Sequence, residues 1–259
     1  MTHRHKLDPD KITHGVGIFD PHFPYEDKQS YNAVLEYIKA SKPDVFIFGG
    51  DIVDLDIVSN KAKRREIESK RLFKDFQYAK TRLAEISMAI PGAALFALEG
   101  NHDERMERYI DDNPELEGII EVPKMLGMEE PECPWTWVPS WRMGHILQIG
   151  KANFIHGYSE ADHHTKKTVT DYGKNMFMGH LHDIQCYSKI LHGDDSTIMA
   201  QSCGCLCRYN MPYMRGKPSR WQQAFLDIYW KPNGYFWHNV VPIFNNKFIV
   251  NGVEYGGNV

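Results

Sequence analysis

The sequence has no apolar run near the roughly 20 residues that a membrane-spanning helix needs; Val45 to Phe48 is typical of its longest stretches. Behind the basic start, Met1 to Lys6, there is no apolar segment, so no signal peptide is read. Cysteine is scarce: five in 259 residues, an odd number gathered in the second half. That excludes a disulfide framework and fits a reducing, cytoplasmic compartment. Positive charge is not in excess, since the net charge is −4 and the pI about 6.3. The molecule as a whole therefore does not attract nucleic acid or an anionic membrane, although a local basic patch remains open. No Gly/Ser-rich or Pro-rich linker and no internal repeat divides the chain, so one domain over residues 1–259 is expected. With 42% hydrophobic and 25% charged residues the composition is ordinary for a globular protein, which excludes disorder, collagen and coiled coil. What the chain does have is histidine, 13 in all, several beside Gly, Asp or Asn.

The first half alternates strand-like and helix-like patterns. Val16 to Phe19 is apolar and runs into Asp20-Pro21-His22. Tyr31, Val34, Leu35 and Ile38 recur at helical spacing, closing near Pro43. Asp44 to Phe48 reads as a buried strand ending at Gly49-Gly50-Asp51, and Leu72, Phe76, Ala79, Leu83 and Ile86 form the stripe of a long amphipathic helix. Ala94 to Leu98 is a third strand, ending at Gly100-Asn101-His102-Asp103. Such alternation predicts parallel βαβ units, with loops gathered at the C-terminal ends of the strands. Beyond residue 145 strands dominate: a hairpin from His145 to Ile155 around Gly150, then Asn175 to Met178, Gln185 to Leu191, Thr197 to Leu206, Trp221 to Trp230 and Tyr235 to Ile243. The expected fold class is α/β, with two sheets packed face to face and helices outside.

Five short segments carry the chemistry: Asp20-x-His22, Gly50-Asp51-x-x-Asp54, Gly100-Asn101-His102-Asp103, His156-Gly157 and Gly179-His180-x-His182. Each follows an apolar run. Taken singly they say little, because Asp-x-His or Gly-Asp after a strand is most often a turn. Together they supply carboxylates, an amide oxygen and imidazoles, a mixture that suits Mn²⁺, Fe or Zn²⁺ better than the oxygen-only shells of Mg²⁺ or Ca²⁺.

In this order and spacing the five segments resemble the calcineurin-like metallophosphoesterases, and no ligand position is replaced. The resemblance implies a four-layer α/β/β/α sandwich of two mixed β-sheets flanked by helices. It implies one divalent metal held by Asp20, His22 and His182 and a second by Asn101, His156 and His180, with Asp51 bridging the pair. Mn²⁺ is the first choice of metal, with Fe, Zn²⁺ and Ni²⁺ as alternatives. His102 is then the general acid for the leaving oxygen rather than a ligand, and Asp54 orients it. Two cations about 3.5–4 Å apart lower the pKa of a bound water, so that a hydroxide attacks phosphorus in line without a protein nucleophile; the chain accordingly has no Gly-x-Ser-x-Gly.

The substrate expected from the resemblance is a phosphodiester, in nucleic acid (DNA or RNA) or a nucleotide, since SbcD-like DNA nucleases share the motif set. A phosphomonoesterase acting on a small ester or a phosphoprotein is the alternative. A non-catalytic scaffold of the same fold is a further class, against which the intact His102 and Asp54 argue. The run from Cys207 and that from Trp221 to Phe225 resemble bacteriophage-encoded members, which would make the compartment a host cytoplasm. No membrane partner is expected.

Other features have plainer readings. Arg105 is either a contact for a substrate phosphate or a solvent-exposed helix charge. Lys61, Lys63, Arg64, Arg65, Lys70, Arg71 and Lys74, against Glu66 and Glu68, form a basic segment that either rims the site for a polyanion or is a solvated helix face. Trp135, Trp137 and Trp141 stack bases or, more simply, pack. Cys203, Cys205 and Cys207 would share one face of a strand; buried reduced thiols are the default there, against a zinc-organised nucleic-acid-binding module. His3, His5, His163 and His164 read as tail or surface histidines.

Overall fold

The computed structural model describes residues 1–59, 72–192, 196–211, 214 and 219–257. Most of the basic segment, residues 60–71, lies outside them. Fourteen strands are described: β1 (Thr2–His5), β2 (Thr13–Ile18), β3 (Val45–Phe48), β4 (Ala94–Leu98), β5 (Trp135–Val138), β6 (Ile146–Ile149), β7 (Ala152–Phe154), β8 (Asn175–Met178), β9 (Ile184–Leu191), β10 (Ser196–Cys203), β11 (Ala224–Trp230), β12 (Phe236–Pro242), β13 (Phe248–Val250) and β14 (Val253–Tyr255). The helices are α1 (Lys28–Ser41), α2 (Leu72–Ala89), α3 (Arg105–Asp112), α4 (Val122–Met125), α5 (Ser140–Met143) and α6 (His164–Tyr172).

Two mixed six-stranded sheets result, ordered β12-β11-β2-β3-β4-β5 and β1-β6-β7-β8-β10-β9. In the first, β2 to β5 are mutually parallel; in the second, β7, β8 and β10 are parallel neighbours. The inner faces meet through Val45, Ile47, Leu98, Phe154, Phe177, Leu226 and Trp230, all fully buried. On the outer face of the first sheet, Val34 and Ile38 of α1 and Phe76, Leu83 and Ile86 of α2 pack on Val16, Ile18, Phe46 and Phe48. On the outer face of the second, Val169 of α6 packs on Met176, Met178 and Ile198. This is the expected four-layer arrangement. The elements begin and stop for local reasons: Asp27 caps α1 by accepting from the Ser30 amide, and Lys42, at φ 47° before Pro43, ends it.

Several expectations need correction. The N-terminal histidines are not a tail: His3 and His5 lie on β1, an edge strand paired in parallel with β6. Trp135 and Trp137 lie on β5, which extends the first sheet beyond β4. There Trp135 stacks on Phe48 at 5.4 Å and donates from Nε1 to Ser87 Oγ, so the packing reading holds for it. The three clustered cysteines do not share a strand face. β10 ends at Cys203, where Gly204 turns at φ +74°. Cys203 is thereby left between the sheets, while Cys205 and Cys207 join a separate cluster with Tyr25 and Met211. All three are buried free thiols. His164 is also buried, as the first residue of α6.

Candidate metal centre

Every segment singled out above follows a strand at its C-terminal end. β2, β3 and β4 of the first sheet lead to Asp20 and His22, to Asp51 and Asp54, and to Asn101 and His102. β7 and β8 of the second lead to His156 and to His180 and His182. Because the sheets are stacked, the two sets of loops meet at one end of the sandwich, where residues as distant in sequence as Asp20 and His182 come into contact.

The donor atoms fall into two groups. In one, His22 Nε2 lies 3.1 Å from His182 Nε2 and 3.5 Å from Asp51 Oδ2, and His182 Nε2 lies 3.2 Å from Asp20 Oδ1. These four buried residues form a group able to hold a cation. In the other, Asn101 Oδ1 lies 3.0 Å from His156 Nε2 and 2.8 Å from His180 Nδ1, and His156 Nε2 lies 3.3 Å from Asp51 Oδ1. Asp51 thus faces one group with each oxygen. Bonds of about 2.0–2.2 Å to a common cation put neighbouring donors about 3 Å apart, so these spacings fit a pair of divalent ions.

Hydrogen bonding on the far side of the rings points the same way. His22 donates from Nδ1 to Asp54 Oδ1 and His156 from Nδ1 to the Gly49 carbonyl, which leaves each Nε2 with its lone pair turned inward. There the lone pairs meet other acceptors, an arrangement that only protons or cations satisfy.

Protonation follows from these contacts. Burial alone lowers His156 and His182, but Asp51 outweighs it at His156 and Asp20 at His182, pushing them up to about 10 and about 9. Burial and His156 lower His180 to about 4. Burial opposes ionisation of Asp51 and Asp54, yet the surrounding imidazoles, His156 for the first and His102 for the second, hold both carboxylates below their usual range. The pocket is built for positive charge.

Strained backbone gathers here: of the described non-glycine residues with positive φ, half belong to this site. Asp20, His22, Asp51, His180 and His182 have φ between 48° and 75°, the left-handed region that few non-glycine residues occupy. Each such residue costs about 1–3 kcal/mol and persists only where the surroundings enforce it. Gly100 and Gly179 permit the close approach: a Cβ on the first would overlap Asp51 and on the second Asp20.

Beside the two donor groups lies His102. It donates from Nδ1 to Asp54 Oδ1 at 2.9 Å, and Nε2 lies 2.7 Å from Arg105 Nη2. Arg105, the first residue of α3, also donates to the Asp54 carbonyl, so it is not a free helix charge. Asp54 Oδ1 serves two rings at once, His22 and His102. Trp141 of α5 sits over His180 and His156 at 4.9 and 5.6 Å, and with Asn101, Arg105, Arg108 and His180 it lines a cavity of about 270 Å³.

Two residues escape a sequence-level reading. Cys207 Sγ lies 3.7 Å from His182 Nδ1, behind the ring. Asp103, fully buried, accepts from the backbone N–H groups of Ile52, Val53 and Gly100, tying the Asp51 loop to the Asn101 loop. Burial and Asp51 push its carboxyl up to about 8 against those three bonds. Its place in Gly-Asn-His-Asp was the one available signal. Asp103→Ala would strand three buried donors, each worth about 1–3 kcal/mol. We expect a loss of at least about 3 kcal/mol in urea unfolding of the metal-free protein; a loss under about 1 kcal/mol would show that the loops are held otherwise.

Residues 16–199 match the family model for calcineurin-like phosphoesterases. The chain is 23% identical over 251 residues to the Gene 54 protein of Mycobacterium phage D29, covering 92% of this chain and 96% of that one. To the Gene 54 protein of Mycobacterium phage L5 it is 23% identical over 256 residues, with the same coverage. Among solved structures, Vacuolar Protein Sorting 29 from Cryptosporidium parvum superposes with a TM-score of 0.53 at 13% identity, over 96% of this chain and 100% of that one, a likeness of fold. With most of its length matched by one family, the chain belongs to the calcineurin-like phosphoesterases.

Proposed function

We propose that this protein is a dinuclear-metal phosphoesterase acting on phosphodiesters, in a single domain. The observation that carries the reading is the pair of donor groups that share Asp51, with His102 beside them and outside both. Asp20, His22, Asp51 and His182 would hold one divalent cation, and Asp51, Asn101, His156 and His180 the other. When bound, the two ions supply Lewis-acid charge that acidifies water and neutralises phosphate oxygens.

The residues do the rest. His102 donates a proton to the departing oxygen from Nε2, with Asp54 fixing the Nδ1–H tautomer and supporting the imidazolium. Arg105, which contacts His102 Nε2, binds a non-bridging phosphate oxygen when substrate is present and leaves that nitrogen free to act. Trp141 covers the rings of His156 and His180, limiting water at that edge.

The direct test is hydrolysis of bis-p-nitrophenyl phosphate beside p-nitrophenyl phosphate, on protein stripped with EDTA and reloaded with Mn²⁺. Faster turnover of the diester is expected; faster turnover of the monoester would make the protein a phosphomonoesterase, and no turnover with any divalent metal would remove catalysis altogether.

Metal loading should also depend on pH. His156 and His182, raised to about 10 and about 9, carry protons at pH 7 in the metal-free protein, and cations must displace them. Affinity therefore rises with pH up to about pH 10, where His156 too has lost its proton, by up to roughly tenfold per pH unit for each proton released. Calorimetry at pH 7 in buffers of different ionisation enthalpy should find close to two protons released per dinuclear centre filled; no release would mean that these rings are not ligands.

A further inference from the structure

A second cavity, of about 300 Å³, opens beside the metal centre and, among the described residues, shares Glu160 with the first. Trp221 forms one wall, its ring 4.3 Å from that of His182. His164 and Asp183 lie deep in the lining. His164 is 1% exposed, yet its Nδ1 has no hydrogen-bond partner among the described residues; Nε2 has Asp183 Oδ1 at 3.2 Å, out of hydrogen-bonding line. Asp183 is itself oriented by Ser202 Oγ at 2.9 Å. A buried imidazole with unused capacity is costly, and at the wall of a cavity it is a feature that a ligand completes.

The chemistry of the lining selects the ligand. Among the described residues, Glu160, Asp162 and Asp183 give the lining carboxylates, and the guanidinium of Arg220 is held by Asp162 at 2.7 Å. These carboxylates disfavour a phosphate beside them, whereas Arg105 and Arg108 favour it in the adjoining cavity. A half-buried indole at the wall suits a flat ring, and carboxylates with an imidazole behind it suit a ring edge that presents N–H groups.

We infer that this cavity binds the nucleobase of a nucleoside phosphodiester, the ring against Trp221 and its polar edge toward His164 and Asp183. The inference rests on the phosphodiesterase reading and narrows its substrate to nucleotidyl esters. Because the carboxylates of Glu160, Asp162 and Asp183 offer acceptors among the described lining residues, bases with an exocyclic amino group (cytosine, adenine, guanine) bind better than thymine.

The test uses the metal-loaded full chain and two diesters with the same leaving group, deoxycytidine 5′-(p-nitrophenyl phosphate) and methyl p-nitrophenyl phosphate. The nucleoside ester should show a kcat/KM at least about 10-fold higher, mostly through KM. Trp221→Ala and His164→Ala should each erase most of that advantage, and His164→Gln should restore part of it. The thymidine ester should fall between the other two. Equal kcat/KM for the deoxycytidine and methyl esters would overturn the base subsite while leaving the phosphodiesterase reading intact. If neither ester is hydrolysed the phosphodiesterase reading fails, and calorimetry decides the subsite: tighter binding of deoxycytidine 5′-monophosphate than of deoxyribose 5-phosphate supports it, and equal binding overturns it. The wild-type comparisons stand even if both variants fail to fold.

Discussion

Asp51→Asn removes turnover, by at least about 10³-fold, and weakens binding of both divalent ions. Asp51 is the one side chain shared between the donor groups, with Oδ2 toward His22 and Oδ1 toward His156. With two divalent ions bound, its negative charge would offset their mutual repulsion. Asparagine keeps one oxygen, puts an amide N–H₂ where the other stood, and removes the charge. The loss should exceed the roughly 10–100-fold that follows from deleting an outer partner of a ligand. The same change also disturbs the acceptor of the His102 backbone N–H, which Asp51 Oδ1 holds at 2.7 Å. Metal content after gel filtration, measured beside activity, is the check. A variant that keeps two ions per chain and most of its activity would show that the groups are held by other donors.

His102→Ala has the opposite signature: both metals stay and the rate falls. The His102 ring bonds to Asp54 and Arg105 and its backbone N–H to Asp51, but its imidazole belongs to neither donor group. Loss of a positioned acid costs about 10²–10⁴-fold, most where the leaving alkoxide is poor and least for p-nitrophenolate. Comparing an alkyl ester with an aryl ester separates this from a general defect. A uniform loss across leaving groups, or loss of metal, would remove His102 from the acid role. Asp54→Asn should resemble neither variant cleanly, since Asp54 Oδ1 bonds the rings of His22 and His102 together.

The success of the sequence reading has a physical basis in the strands. Ala94 to Leu98 and Asn175 to Met178 match β4 and β8 residue for residue, because a short buried run bounded by polar loops has few other uses. β5 was not legible: Trp-Thr-Trp-Val carries no strong period, and its identity as a strand comes from the open edge of β4 that it covers. The Cys203 to Cys207 run shows the reverse error. Alternation suggested one strand face, but Gly204 breaks β10 and sends Cys205 and Cys207 to another part of the core. His164 looked like a surface residue because no neighbour in sequence explained it; Asp183 and Trp221, which do, arrive from the second sheet and the loop before β11.

By itself the sequence determined the strands that carry the five motifs, the βα character of the first half and the family to which those motifs belong. It determined which residue types stand at strand ends, since hydrophobic runs and Gly-Asp or Gly-His junctions are local properties. Only the tertiary structure decided that Asp51 faces two donor groups, that Asp54 serves two rings, that Asp103 ties two loops together and that His164 lines a cavity beside His182. Those facts depend on how two stacked sheets bring together loops as distant in sequence as those of Asp20 and His182. No local pattern encodes such distances; they are set by the packing of the two inner faces against one another.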